Sequence, residues 1–254
     1  MHRLFLLLFI FIGICFSAQG ERTTFYFKNL DWKVTSAENP LIDFEKVEGK
    51  KLSGLNTLKE TESIVTIINV EDFEYTQASL FLFGAIKPKT ILLNNSLLSK
   101  SINEGAFTDI SAFIENGSIT LKLNFKAEAN KNEIKSFLEF SQINLVKDIA
   151  INHFKVVPDP NFGGSMLEVS IQNFTDKDID GKVIVEIIDL ETWDLVAENN
   201  NCAFSREGSL ITIEVNFPEN EEVLKNKSFM VKAIMVDKER NEEQMDELRL
   251  PISF

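Results

Sequence analysis

Cysteine and histidine are nearly missing from this chain. Each occurs twice in 254 residues, and Cys15 and His2 lie at the very start. Beyond them only Cys202 and His153 remain. One cysteine closes no internal disulfide, so the fold must rest on buried apolar surface. A zinc site of the His/Cys type is excluded by ligand count. A nucleophile–histidine mechanism could recruit only His153, which lies in the strand-like run Ile149–Val156. A lone strand histidine is more often structural than catalytic. Positive charge is also short, with 26 Lys and Arg against 39 Asp and Glu and a net charge of −13. That balance argues against nucleic acid and anionic membranes, both of which reward basic patches. There is no low-complexity tract, no Gly/Ser linker and no long helical period. No cofactor motif is present, and none is expected to be bound.

One long apolar run exists, from Leu4 to Phe16, preceded by Arg3 and followed by Ala18-Gln19-Gly20. It reads as a secretory leader over residues 1–20, cleaved after Gly20. A lipoprotein reading through Cys15 is disfavoured by Ile14, where a small residue is expected. The run is shorter than the ~20 apolar residues that span a bilayer, and no later stretch replaces it. Loss of the leader leaves 234 residues and moves the net charge to −14 as Arg3 departs. The product is expected to be secreted, periplasmic or held in the cell envelope, with no transmembrane segment. It is large enough for two domains of ~100–150 residues.

What is abundant is strand pattern. Ile119, Leu121, Leu123 and Phe125 alternate with Thr120, Lys122 and Asn124, which predicts one row in a core and the other in water. Asn94-Asn95-Ser96 separates Ile91-Leu92-Leu93 from Leu97-Leu98, and Asn tolerates the positive φ of a tight hairpin. Further strands are predicted over Glu62–Phe73 and Phe137–Val146, with a charged loop at Ala127–Glu133. A second series alternates at Leu167–Ile171, turns over Thr175–Gly181, and continues at Lys182–Asp189, Leu210–Phe217 and Phe229–Asp237. Pro251 assigns the closing Leu248–Phe254 run to a sheet edge. About seven short strands in ~100 residues is an immunoglobulin-like pattern. The fold class is all-β.

Several motifs in this order resemble glycoside hydrolase family 2. They are Leu30-Asp31-Trp32, a strand ending in Leu93-Asn94-Asn95, Gly105-Ala106-Phe107, Thr108-Asp109-Ile110-Ser111 and the alternating strand after it. They look like the family's non-catalytic sugar-binding jelly roll, with Asn95 where that family has glycine. Ile149–Pro158, the Leu167 strand ending in Gln172-Asn173, and Gly181 before a Val/Ile strand resemble its immunoglobulin-like domain. After the leader at residues 1–20, the resemblance implies 21–147 as a galactose-binding-like jelly roll and 148–254 as an immunoglobulin-like sandwich. In that family the catalytic barrel follows; this sequence stops at Phe254, so the expectation is an accessory pair without an enzyme's barrel. Its implied partner is a carbohydrate or a glycan-processing protein. The rival is an envelope module that binds protein, and a third reading is a glycosidase with an unrecognised carboxylate site.

Site candidates follow from loop position. Asn94, Asn95 and Glu104 lie in jelly-roll loops, and Trp193 beside Asp194 is placed at an exposed turn where an aromatic face can meet a sugar. Trp32 has the spacing of a core residue. The Asn-Glu pairs at 103–104, 132–133, 220–221 and 241–242 all fall in polar turns and are read as solvated charges rather than catalytic acids. Asp176, Asp178, Asp180 and Gly181 imitate half a calcium loop, but Ile187 occupies the twelfth position, so a polar hairpin is preferred. No metal is expected. Four Asn-x-Ser/Thr sequons, the first at Asn94, are read as chance. Asp109 is expected to fix a turn.

Overall fold

The computed structural model describes residues 22–37, 50–52, 57–84, 86–98, 107–125, 128–158, 165–175, 179–206, 210–216, 228–237 and 244–253. Twelve strands build the first part: β1 Arg22–Tyr26, β2 Lys33–Ser36, β3 Lys50–Lys51, β4 Thr57–Leu58, β5 Glu62–Asn69, β6 Gln77–Phe81, β7 Pro88–Leu93, β8 Ser96–Leu97, β9 Phe107–Asp109, β10 Ser118–Phe125, β11 Ala129–Asn130 and β12 Gln142–Val146. They pair antiparallel as a four-stranded sheet β1-β12-β6-β9 and a six-stranded sheet β3-β2-β5-β10-β7-β8, with β4 and β11 as a separate pair. Ile64, Leu80, Leu93, Ile119, Leu121, Leu123 and Ile143 fill one core between the sheets. This is an all-β sandwich, as the alternation predicts, and it is the jelly roll that the resemblance implies.

Lys122 departs from the prediction. It belongs to the row assigned to water, yet it is 0 % exposed and its Nζ donates to the Ser36 carbonyl at 3.3 Å. Burial holds its ammonium below the usual lysine range.

A second correction lies between β11 and β12. Residues Lys131–Phe140 form a helix, α1, where the sequence reading placed a charged loop and the start of a strand. The Asn130 side chain accepts from the Asn132 and Glu133 N–H groups, and Glu133 reaches back to the Asn130 N–H at 2.8 Å. This reciprocal cap satisfies orphan donors at the helix start. Ile134 and Phe137, three residues apart, are then buried on one face, and Phe137 meets Phe27 and Phe125 edge-on. Trp32 is a core residue as expected, but a 3₁₀ turn at Phe27–Asn29 separates it from β1. Among the described residues, no helix is long and apolar enough to cross a membrane.

Seven strands follow: β13 Ile149–Pro158, β14 Ser165–Asn173, β15 Ile179–Asp189, β16 Leu195–Arg206, β17 Leu210–Asn216, β18 Ser228–Asp237 and β19 Gln244–Ser253. They form sheets β13-β14-β17 and β16-β15-β18-β19 around Val169, Ile171, Val183, Val185, Val231 and Ala233. This is an immunoglobulin-like sandwich. Pro251 lies on the edge strand β19, where its missing N–H costs nothing. Gly181, expected in a turn, lies inside β15 opposite Phe204. A Cβ there would approach the Val236 carbonyl to 2.6 Å and the Phe204 ring to 2.7 Å, so only glycine fits under that ring. β16 was not anticipated at all; it bulges against β15 between Asn199 and Cys202.

The two sandwiches meet across the outer face of the four-stranded sheet. Phe81 of β6 is fully buried within the apolar cluster of the second sandwich, tilted against Phe107 and stacked with Phe83. Arg22 of β1 crosses the same seam. Its Nε and Nη2 donate to the two Asp246 oxygens of β19 at 2.9 and 3.0 Å, and Nη2 also donates to the Ile151 carbonyl. Asp246 in turn accepts from the Ile151 and Glu247 N–H groups at 2.7 and 2.9 Å. Both side chains are buried.

Candidate functional site

The β7–β8 hairpin has the predicted geometry. Asn94 and Asn95 adopt φ of +46° and +64°, the left-handed pair that lets a two-residue turn follow strand twist. Asn94 does more than turn the chain. Its Nδ2 donates to the Phe113 and Ser118 carbonyls at 2.7 and 3.1 Å, and its Oδ1 accepts the Thr120 N–H at 2.7 Å. The amide therefore brackets the hairpin to β10, and Asn95 alone of the pair is exposed. Glu104 lies outside the described residues.

Asp109 ends β9 and accepts from the Ser111 N–H at 2.9 Å and the Ser111 hydroxyl at 2.7 Å. That hydroxyl accepts the Ala78 N–H at 2.9 Å, so one carboxylate orients the clasp between β6 and the following 3₁₀ turn. Asp109→Ala is expected to lower stability by ~0.5–2 kcal/mol, the usual cost of a lost cap. Ligand affinity of the folded variant should be unchanged. A thermal melt combined with a binding titration checks this; an unchanged melt with lost binding would place a ligand at Asp109.

Trp193 stands exposed. It is 64 % exposed at φ +63°, on the turn between β15 and β16. The turn is fastened: the Trp193 N–H reaches the Asp189 carbonyl at 2.8 Å, and the Asp189 carboxylate accepts from the Glu191 and Thr192 N–H groups at 2.7 and 3.3 Å. The indole thus stands on a rigid base at a cleft of ≈ 280 Å³ between the sandwiches. Tyr26, Phe140 and Gln142 line it from the first sandwich, and Lys232 and Arg249 from the second. Burial pushes the Tyr26 phenol above its ordinary value, with Arg249 opposing, so it stays protonated as a donor. Lys232 and Arg249 are steadied by Glu186 and Glu247 at 2.9 and 2.6 Å. None of Tyr26, Phe140 or Gln142 could be found from sequence, because the cleft exists only once both sandwiches are docked.

The remaining candidates gather no chemistry. His153 Nε2 lies 3.3 Å from the Ser170 hydroxyl across β13 and β14, and burial holds the imidazole below its usual range. Ser170 is itself buried in the sheet. Cys202 is buried, and burial pushes its thiol up, away from thiolate reactivity. Asp176 and Asp178 lie outside the described residues, as do three of the four Asn-Glu pairs; Asn132-Glu133 forms the first turn of α1 rather than a loop. Among the described residues no three acidic, His or Cys side chains cluster as a metal site.

No protein-family model and no curated protein matches the sequence. Solved structures do match in fold. A β-glucuronidase from glycoside hydrolase family 2 aligns with a TM-score of 0.53 at 11 % identity, over 93 % of this chain and 31 % of its own. Two Bacteroides uniformis structures behave alike. One is β-glucuronidase 2 covalently bound to cyclophellitol-6-carboxylate aziridine, with a TM-score of 0.52 at 11 % identity, covering 92 % of this chain and 32 % of that one. The other is a β-glucuronidase at 0.52 and 12 %, with the same two coverages. The chain therefore shares the fold of family 2 glycosidases over about a third of their length.

Proposed function

We propose that this chain is an exported, non-catalytic accessory protein that binds carbohydrate in the cleft between its two sandwiches. The observation that carries the reading is Trp193, held out on a fastened turn at a cleft that also offers a phenol, an amide and two cations. A pyranose ring presents an apolar C–H face and a rim of hydroxyls. An indole plate suits the first, and Tyr26, Gln142, Lys232 and Arg249 suit the second. The preformed turn limits the ordering entropy that weak sugar binding must offset. The likeness to glycosidases supports the ligand class. The match covers about a third of their length. Export through residues 1–20 belongs to the same reading, and N-terminal sequencing of the exported protein should begin at Glu21.

A glycan array with purified protein is the test. Saturable binding to one sugar class is expected, weakened about tenfold or more by Trp193→Ala, with the melt unchanged because the side chain is exposed. Silence across the array, or binding indifferent to Trp193, would overturn the proposal. A second reading has its own observation: Leu195 and Val196, at 55 % and 42 % exposure, continue the Trp193 patch along the edge strand β16. An exposed edge with apolar side chains suits a protein partner. Hydrolysis of aryl-glycosides by the purified chain would overturn the non-catalytic assignment.

A further inference from the structure

A second opening, of ≈ 430 Å³, lies in the first sandwich between α1 and the segment that leads into β2. Its floor is apolar. Trp32, Leu52 and Ile134 are buried there, with Leu30 and Leu138 half-buried beside them. The polar atom of the indole is already committed, since Trp32 Nε1 donates to the Phe27 carbonyl at 2.7 Å. The floor therefore gives a ligand contact area and almost nothing to hydrogen-bond, which is the wrong surface for a sugar.

The rim carries a net positive charge. Lys28, Lys51, Lys131 and Lys135 surround the opening, against the carboxylates of Asp31 and Glu139. Glu139 is matched by Lys28 at 2.6 Å. Lys51, Lys131 and Lys135 are exposed and pair with no carboxylate among the described residues. Four cations against two anions leave a positive mouth on a chain whose net charge is −13. Apolar floor and cationic rim together describe a ligand with a hydrocarbon body and an anionic end. The volume lies in the ~300–1,000 Å³ range of small-molecule sites, whereas a protein partner covers ~800 Å² per side.

We propose that this groove binds a single-chain amphiphilic anion, with its alkyl chain along Trp32, Leu52, Ile134 and Leu138 and its carboxylate at Lys131 and Lys135. This site shares Lys28 and Glu139 with the cleft at Trp193, but none of the residues assigned to the ligand, so either can fail without the other. The probe is dodecanoate brominated at its tail, used below its micelle concentration. In Trp193→Phe protein Trp32 is the sole tryptophan, so quenching reports contact with the groove floor.

Saturable quenching is expected with the brominated carboxylate, and competition by plain dodecanoate but not by dodecyltrimethylammonium. Lys131→Glu with Lys135→Glu should weaken binding about tenfold. Both positions are exposed, and a glutamate at position 131 suits the helix N-terminal turn, so circular dichroism should be unchanged. Absence of quenching, equal competition by the cationic chain, or indifference to the double substitution would each overturn the assignment.

Discussion

Replacing Arg22 by alanine is expected to destabilise the protein by about 3–5 kcal/mol, the largest single effect anticipated here. The guanidinium leaves behind a fully buried Asp246 carboxylate, and the Ile151 carbonyl loses a donor as well. Two backbone N–H groups still bind Asp246, which offsets part of the loss. The buried pair is not thereby proved a net source of stability. Desolvating two charges is costly, and an apolar pair of similar volume can do as well. Arg22→Met with Asp246→Leu should therefore recover much of what Arg22→Ala loses. Urea denaturation followed by intrinsic fluorescence measures both. A loss below ~1 kcal/mol for Arg22→Ala would mean that water reaches the pair.

The same substitution tests how the sandwiches are joined. Only Lys147 and Asp148 separate β12 from β13, and we propose a short, stiff hinge at this point. In the intact protein the first tryptic cuts are expected elsewhere than Lys147. With Arg22→Ala the seam loosens, and cleavage at Lys147 into two halves should become early. Early cleavage at Lys147 in the unaltered protein would instead indicate a loose linker from the start.

Strand identity was legible along much of this sequence because one row of those strands is apolar without interruption. Ile119, Leu121, Leu123 and Phe125 are all buried, and Asn94-Asn95 turns with the positive φ that its composition permits. The seam was not legible, for a related reason. Arg22, Thr24, Gln142, Asn144 and Ser79 read as the water-facing rows of β1, β12 and β6. Arg22, Ser79, Gln142 and Asn144 are buried where the second sandwich docks. A polar row looks the same whether it meets water or another domain. The helix was missed because Phe137, Leu138 and Phe140 satisfy a strand reading as readily as a helical one. The signal that decides it is local: Asn130 and Glu133 stand at the spacing of a reciprocal cap, three residues apart. Trp193 was legible as an exposed aromatic, but its cleft was not, since its walls come from two separate sandwiches.

Asn94→Ala should cost about 2–4 kcal/mol, although the residue lies in a surface hairpin where substitutions are usually mild. Two effects add. The Phe113 and Ser118 carbonyls and the Thr120 N–H lose their partner in a half-buried setting. Alanine must also hold φ at +46°, a region that a Cβ penalises by ~1–2 kcal/mol. Asn94→Gly separates the two, because glycine accepts the backbone angle and supplies no hydrogen bonds. It is expected to fall between the native protein and Asn94→Ala, recovering the conformational share alone. Asn94→Asp keeps the acceptor for Thr120 but loses both donors, and should also be intermediate. Equilibrium denaturation of the three variants ranks them. If Asn94→Gly matches the native protein, the bracket to β10 contributes nothing and only the turn matters. Sugar binding by the folded glycine variant completes the argument. Unchanged affinity assigns Asn94 to architecture, whereas lost affinity at native stability would move the carbohydrate site from Trp193 to this hairpin.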